Sequence, residues 1–163
     1  MKTIIVYYSL GGFTKSLAEK LAAESGADLL ELRPVKAYPS TGARRFITGG
    51  RAAVTGKKPP LQTYTFDADR YDRIIFGSPV WASSPAPPLR SFIAENSATV
   101  ARKAYGAFFT QLGSGADKAL KKLAAAAGIA DFQVSMVFYE PNKKDAHKEN
   151  EEKLRKLAEM IQA

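Results

Sequence analysis

The sequence predicts an α/β protein of three layers, a parallel sheet covered by helices on both faces, and two observations carry that reading. Five short apolar runs rich in β-branched and aromatic residues recur along the 163 residues, and stretches with apolar residues at helical spacing separate them. Such alternation requires right-handed crossovers, which place helices on each side of the sheet.

The first run, Ile4-Ile5-Val6-Tyr7-Tyr8, is continuously apolar, as expected of a strand buried on both faces. It breaks at Ser9-Leu10-Gly11-Gly12, and a helix follows with Leu17, Ala18, Leu21 and Ala22 on one face and Gly26 at its end. Ala27 to Leu32 reads as the second strand. From Pro34 to Tyr71 the pattern is weaker: a turn at Tyr38-Pro39-Ser40, a short helix over Arg44 to Val54, and an irregular stretch from Gly56 to Pro60. Arg73 to Gly77 is the third strand. A loop with three prolines, Ser83 to Pro88, then leads to a helix carrying Leu89, Phe92 and Ile93. Lys103 to Thr110 is the fourth strand, running into Gly113-Ser114-Gly115, and the next helix reaches Ala127. Phe132 to Tyr139 is the fifth strand, and Asp145 onward forms a last helix striped by Leu154, Leu157, Ala158 and Ile161. With no repeat, linker or low-complexity tract, residues 1–163 read as one domain.

Composition narrows the chemistry. The chain has no cysteine, which excludes disulfides, thiolate zinc sites and iron–sulfur clusters. His147 is the sole histidine, which argues against a histidine metal site or a Ser–His–Asp triad and suits a solvated residue. Redox chemistry would therefore need an organic cofactor. The N-terminal apolar run is too short for a signal peptide, and no stretch approaches the ~18 apolar residues of a membrane span. A soluble cytoplasmic protein without a membrane partner is expected.

The net charge is +8, but it is local. Between Arg33 and Phe66 lie seven cations, Arg33, Lys36, Arg44, Arg45, Arg51, Lys57 and Lys58, with no Asp or Glu among them; the rest of the chain holds 17 positive and 16 negative groups. This segment reads as a solvated face, as a docking surface for an acidic redox partner protein, or as a seat for the phosphates of NAD(P)H. Nucleic acid is disfavoured, because no recognition motif is present and only Tyr38, Phe46 and Tyr64 offer stacking.

In sheets of this kind ligands bind beyond the C-terminal strand ends, near the point where strand order reverses. The loops concerned are Ser9 to Thr14, Ser78 to Pro88 and Thr110 to Gly115, all free of carboxylates and lysine, which speaks against acid–base catalysis from them. Ser9-Leu10-Gly11-Gly12-Phe13-Thr14 opens a helix, so converging N–H groups, the helix dipole and two hydroxyls make it either a phosphate cradle or a plain turn with Thr14 as N-cap. Lys15 follows Thr14 rather than preceding it, which rules out a P-loop, and Gly11-Gly12 lacks the dinucleotide spacing. A phosphorylated receiver domain would need acids where Tyr8-Ser9 and Gly77-Ser78 stand.

The run Ile5 to Thr14, with Ala18 four residues on, resembles the FMN-phosphate signature of flavodoxins. Gly77-Ser78-Pro79-Val80-Trp81-Ala82 resembles their loop along the isoalloxazine ring, and Thr110-Gln111-Leu112-Gly113-Ser114-Gly115 their loop on its pyrimidine side. The resemblance implies a flavodoxin-like sandwich of five parallel strands in the order 2-1-3-4-5. It also implies bound FMN and electron transfer. Under it Ser9, Gly11, Gly12, Phe13 and Thr14 hold the phosphate, and Leu10 of the same loop also binds the cofactor. Pro79, Val80, Trp81 and Ala82 contact the ribityl chain and ring, while Thr110, Gln111, Leu112, Gly113 and Gly115 meet the polar ring edge.

Two departures stand out. Flavodoxins are usually acidic around the flavin, and many stack an aromatic from the third loop on the ring; these loops offer neither. A ring face is then open to a substrate or nicotinamide unless Tyr38 or Phe46 closes over it. An electron carrier and an NAD(P)H-dependent quinone or flavin-type reductase are the functions that follow, with a non-redox interaction module behind them.

Overall fold

In the computed structural model, which describes residues 1–39, 50–140 and 146–163, the chain alternates strands and helices as its apolar pattern dictates. The strands are β1 (Thr3–Tyr7), β2 (Asp28–Glu31), β3 (Arg73–Trp81), β4 (Ser84–Pro85), β5 (Ala104–Gln111) and β6 (Val134–Tyr139). The helices are α1 (Phe13–Ser25), α2 (Pro87–Glu95), α3 (Ser97–Lys103), α4 (Ala116–Ala127) and α5 (Ala146–Gln162), with a 3-10 turn at Ala68–Arg70 and residues 50–54 also helical.

The sheet order is β2-β1-β3-β5-β6, parallel throughout, and the short β4 pairs antiparallel with β3. Counting parallel strands alone, this is the expected 2-1-3-4-5. Side chains alternate across each strand and so build two cores. Ile4, Val6, Ile74, Phe76, Ala107 and Phe109 face Leu89 and Phe92 of α2, Val100 of α3 and Leu123 of α4. Ile5, Tyr7, Ile75, Phe108 and Phe138 face Leu17 and Leu21 of α1 and Leu154, Leu157 and Ile161 of α5. Both faces of β1 are buried, which is why its sequence is an unbroken apolar run.

Two elements differ from expectation. β3 does not stop at Gly77: its pairing with β1 ends there, but pairing with β5 continues to Pro79, and a hairpin returns through β4. The expected proline loop is therefore strand and hairpin up to Pro85. Pro79 is tolerated because the strand has a partner on only one side by that point. Between the prolines and β5 the chain makes two helices, broken at Asn96, whose side chain donates to the Phe92 carbonyl at 2.9 Å. Of the helix expected over Arg44 to Val54, residues 50–54 are helical; the rest of it, like Ser40 and Phe46, lies outside the described residues. Among the described residues no helix is long and apolar enough to cross a membrane.

Candidate functional site

β1 leads outward to β2 on one side, and the chain then crosses back to β3 on the other, so the strand order reverses between β1 and β3. Beyond their C-terminal ends, and that of β5, lies a cleft of about 500 Å3. That is within the range of small-molecule sites.

The first wall is the turn into α1. Gly12, with φ +90°, occupies the N-cap position that an L side chain enters only with strain. Its N–H donates to Ser9 Oγ at 3.2 Å. The first bond inside the helix runs from Ser16 N to Gly12 O at 2.9 Å, so the N–H groups of Phe13, Thr14 and Lys15 precede it. No side chain caps this end and no acid occupies the first turn, which leaves the positive end of the dipole open to an anion. Thr14 is not the N-cap. It is buried within the first turn, and its hydroxyl shares a 2.9 Å hydrogen bond with Thr110 that ties α1 to β5.

The second wall is the end of β3. Ser78 is fully buried; its hydroxyl donates to the Pro79 carbonyl at 2.8 Å and accepts the Ala86 N–H at 2.9 Å, pinning both ends of the hairpin. Trp81 meets Tyr38 edge-on at 5.2 Å and Tyr8 at 5.5 Å. Tyr38 packs on Trp81 and is not itself a lining residue of the cleft. Burial pushes the Tyr8 phenol well above its ordinary pKa, with the neighbouring Tyr38 a lesser cause; burial raises Tyr38 too, so this aromatic wall is uncharged at neutral pH.

The third wall follows β5. Gln111 Oε1 accepts the Ala116 N–H at 3.1 Å, capping α4. Its two amide N–H donors have no protein acceptor among the described residues. Gly115, φ +105°, packs so closely on the hairpin that a Cβ there would come within 2.7 Å of Ser83 Oγ.

The cleft lining brings together Ser9, Leu10, Gly11, Phe13 and Thr14 from the first loop, and Pro79, Val80, Trp81 and Ala82 from the second. Thr110, Gln111, Leu112 and Gly113 come from the third. Gly12 and Gly115 stand behind it and shape the backbone. Three lining residues were missed by sequence reasoning: Ser114, Gly50 and Glu140. Ser114 sat unassigned inside a recognised loop. Glu140 could have been found by reading the residue after the fifth strand as the other strand ends were read; its N–H donates to Gln111 O at 3.0 Å. It supplies the cleft with a carboxylate that the three loops lack. Gly50 carries no local signal, since a long-range approach to Ala82 brings it there.

An uncapped helix start beside an uncharged aromatic wall and unpaired amide donors defines a doubly wound α/β protein with a small-molecule cleft at its switch point. The chain belongs to the flavodoxin family, whose model matches residues 2–155. Among solved structures it is similar to a flavoprotein from Lactobacillus acidophilus NCFM in complex with FMN, at 24% identity and TM-score 0.71, covering 93% of this chain and 97% of that one. The apo form of the flavoprotein from the same organism gives 24% identity and TM-score 0.59, over 90% and 95% of the two chains. The NAD(P)H:quinone oxidoreductase of Methanothermobacter marburgensis shares the fold at 11% identity and TM-score 0.58, over 100% and 96%. No curated protein matches the chain.

Proposed function

We propose that this protein binds FMN in the cleft and works as an electron carrier. The observation that carries the reading is the uncapped, acid-free start of α1, with Ser9 and Thr14 beside it, at the end of a cleft whose other walls are an uncharged Trp and a set of amide donors. That donor set fits the group: N–H groups and hydroxyls for a phosphate, apolar Leu10, Trp81 and Leu112 for a ring system, and Gln111 for its polar edge. Bound FMN supplies one- and two-electron redox chemistry that no side chain here possesses. The first loop binds and orients the phosphate, Trp81 fixes one boundary of the ring, and Gln111 sets its register. Glu140 places one negative charge at the rim.

Two partner classes fit the basic segment, which borders the cleft through Gly50. Arg51, Lys57 and Lys58 are exposed and make no ion pair with a described acid, which supports docking of an acidic redox protein. The same cations suit NAD(P)H phosphates, and this favours a reductase passing electrons to a quinone as the second reading.

The test is an absorption spectrum on titrating the protein with FMN, followed by NADPH with and without a quinone. A perturbed flavin spectrum that NADPH leaves unchanged supports the carrier. Bleaching by NADPH and recovery with quinone supports the reductase. Absence of any flavin binding overturns both.

A further inference from the structure

The Ala82–Ser83 turn that joins β3 to β4 holds two consecutive non-glycine residues in the left-handed region, φ +49° and +57°. Hairpin turns of this kind are normally built from Asn-Gly or Gly, so the sequence pays strain here, and something must hold it in place. The pairing Trp81↔Ser84 is one restraint. Another comes from a helix across the fold: Lys122 of α4 donates from Nζ to Ser84 Oγ at 2.8 Å, and Ser84 Oγ donates to the Ala82 carbonyl at 3.3 Å.

The direction of this chain is fixed by chemistry. An ammonium only donates, and a serine hydroxyl has one proton, so accepting from Lys122 commits that proton to Ala82 O. Ser84 is fully buried, and the ammonium polarises its hydroxyl. The peptide is trans, so turning the Ala82 oxygen toward Ser84 turns the Ser83 N–H to the opposite side. Ala82 lines the cleft.

We propose that Lys122 is a positioning residue for the bound flavin, acting through Ser84 to fix the Ala82–Ser83 peptide at the edge of the cleft. This rests on the FMN reading above. Lys122 touches nothing in the cleft, and its side chain is otherwise at the surface, so its loss leaves both cores intact. The peptide dipole it orients acts differently on oxidised and reduced flavin, because their charges differ; loosening it moves a reduction potential as well as an affinity.

The experiment compares wild type, Lys122→Met, Lys122→Arg and Ser84→Ala for FMN affinity by fluorescence quenching and for both reduction potentials by spectroelectrochemistry. Lys122→Met should bind FMN about tenfold more weakly, the loss expected for one charge-assisted hydrogen bond, with a shift in at least one potential. Lys122→Arg should restore most of both. Ser84→Ala should reproduce the Lys122→Met effect, and the double variant should be no worse than either. If Lys122→Met keeps wild-type affinity and both potentials, the inference is overturned while the FMN reading stands. A fall in folding stability alone, with both potentials unmoved, overturns it equally. Failure of wild type to bind FMN instead sinks the function from which it starts.

Discussion

Ala82 and Ser83 show strain placed where the cleft needs shape rather than stability. Each left-handed non-glycine residue costs roughly 1–2 kcal/mol, and a glycine would remove that cost while adding some chain entropy to the unfolded state. Ala82→Gly should therefore stabilise the apo protein by a net ~0.5–1 kcal/mol, read as a higher urea midpoint with unchanged slope. A lower midpoint would mean the turn is not strained. Glu31 is a second residue whose setting makes a prediction. Burial pushes its carboxyl up, but hydrogen bonds from Arg33 and Lys15, at 3.1 and 3.2 Å, outweigh this and hold it below its ordinary 4.5. A lowered folded pKa contributes stability that is present above 4.5 and lost as pH falls through the folded value. Glu31→Gln should cost a few tenths to about 1 kcal/mol at neutral pH, since these cations are partly exposed. Its stability curve should converge with wild type at the acid end, and a constant gap down to the most acid pH would refute the linkage.

The elements are bound to one another at the cleft by few side chains, and those links were the least legible part of the sequence. The five strands could be read because β-branched runs such as Ile4 to Tyr8 report burial directly, whereas their order 2-1-3-4-5 followed only from the flavodoxin resemblance. Ser9 to Thr14 could be read because glycine and hydroxyl residues at a strand-to-helix turn have a local meaning. The continuation of β3 past Gly77 could not, because its partner strand lies about thirty residues on and Pro79 argued locally for a loop. Gly50 at the cleft is likewise a product of tertiary approach. Thr14 illustrates the point: locally it is an N-cap candidate, yet its hydroxyl belongs to Thr110, 96 residues away. Thr14→Val should leave the buried Thr110 hydroxyl without that partner and cost about 1–3 kcal/mol, together with weaker FMN binding. Thr14→Val with Thr110→Val should cost much less than the sum, because no polar group is then stranded. Additivity of the two single variants in thermal or urea unfolding would show that the hydroxyl pair contributes nothing.

Over the described residues, ion pairs gather around two acids of β2, Asp28 and Glu31. Asp28 is held below the usual carboxylate range, first by its hydrogen bond from Lys2 and then by that from Tyr71, and Arg70 lies within 3.9 Å of it. Glu31 gathers Lys15 and Arg33, so one cation of the basic segment is already neutralised. Arg51, Lys57 and Lys58 are exposed without an acidic partner among the described residues; Arg51 follows directly on Gly50, which lines the cleft, and Lys57 and Lys58 lie in the same segment. A field of one sign beside a redox site accelerates encounter with an oppositely charged reactant, and salt suppresses it as the Debye length shrinks from about 30 Å at 0.01 M to about 8 Å at 0.15 M. With FMN bound, an anionic small-molecule reductant should therefore reduce the protein faster at low salt than a cationic one of equal driving force. The two rates should approach each other as salt is raised. Arg51→Glu combined with Lys57→Glu and Lys58→Glu should abolish or invert the preference, while leaving FMN affinity near wild type, because none of the three lines the cleft. Stopped-flow reduction across a salt series reads all of this at once. Equal rates for both reductants at low salt would make the basic segment a solvated face and remove the electrostatic argument for an acidic partner.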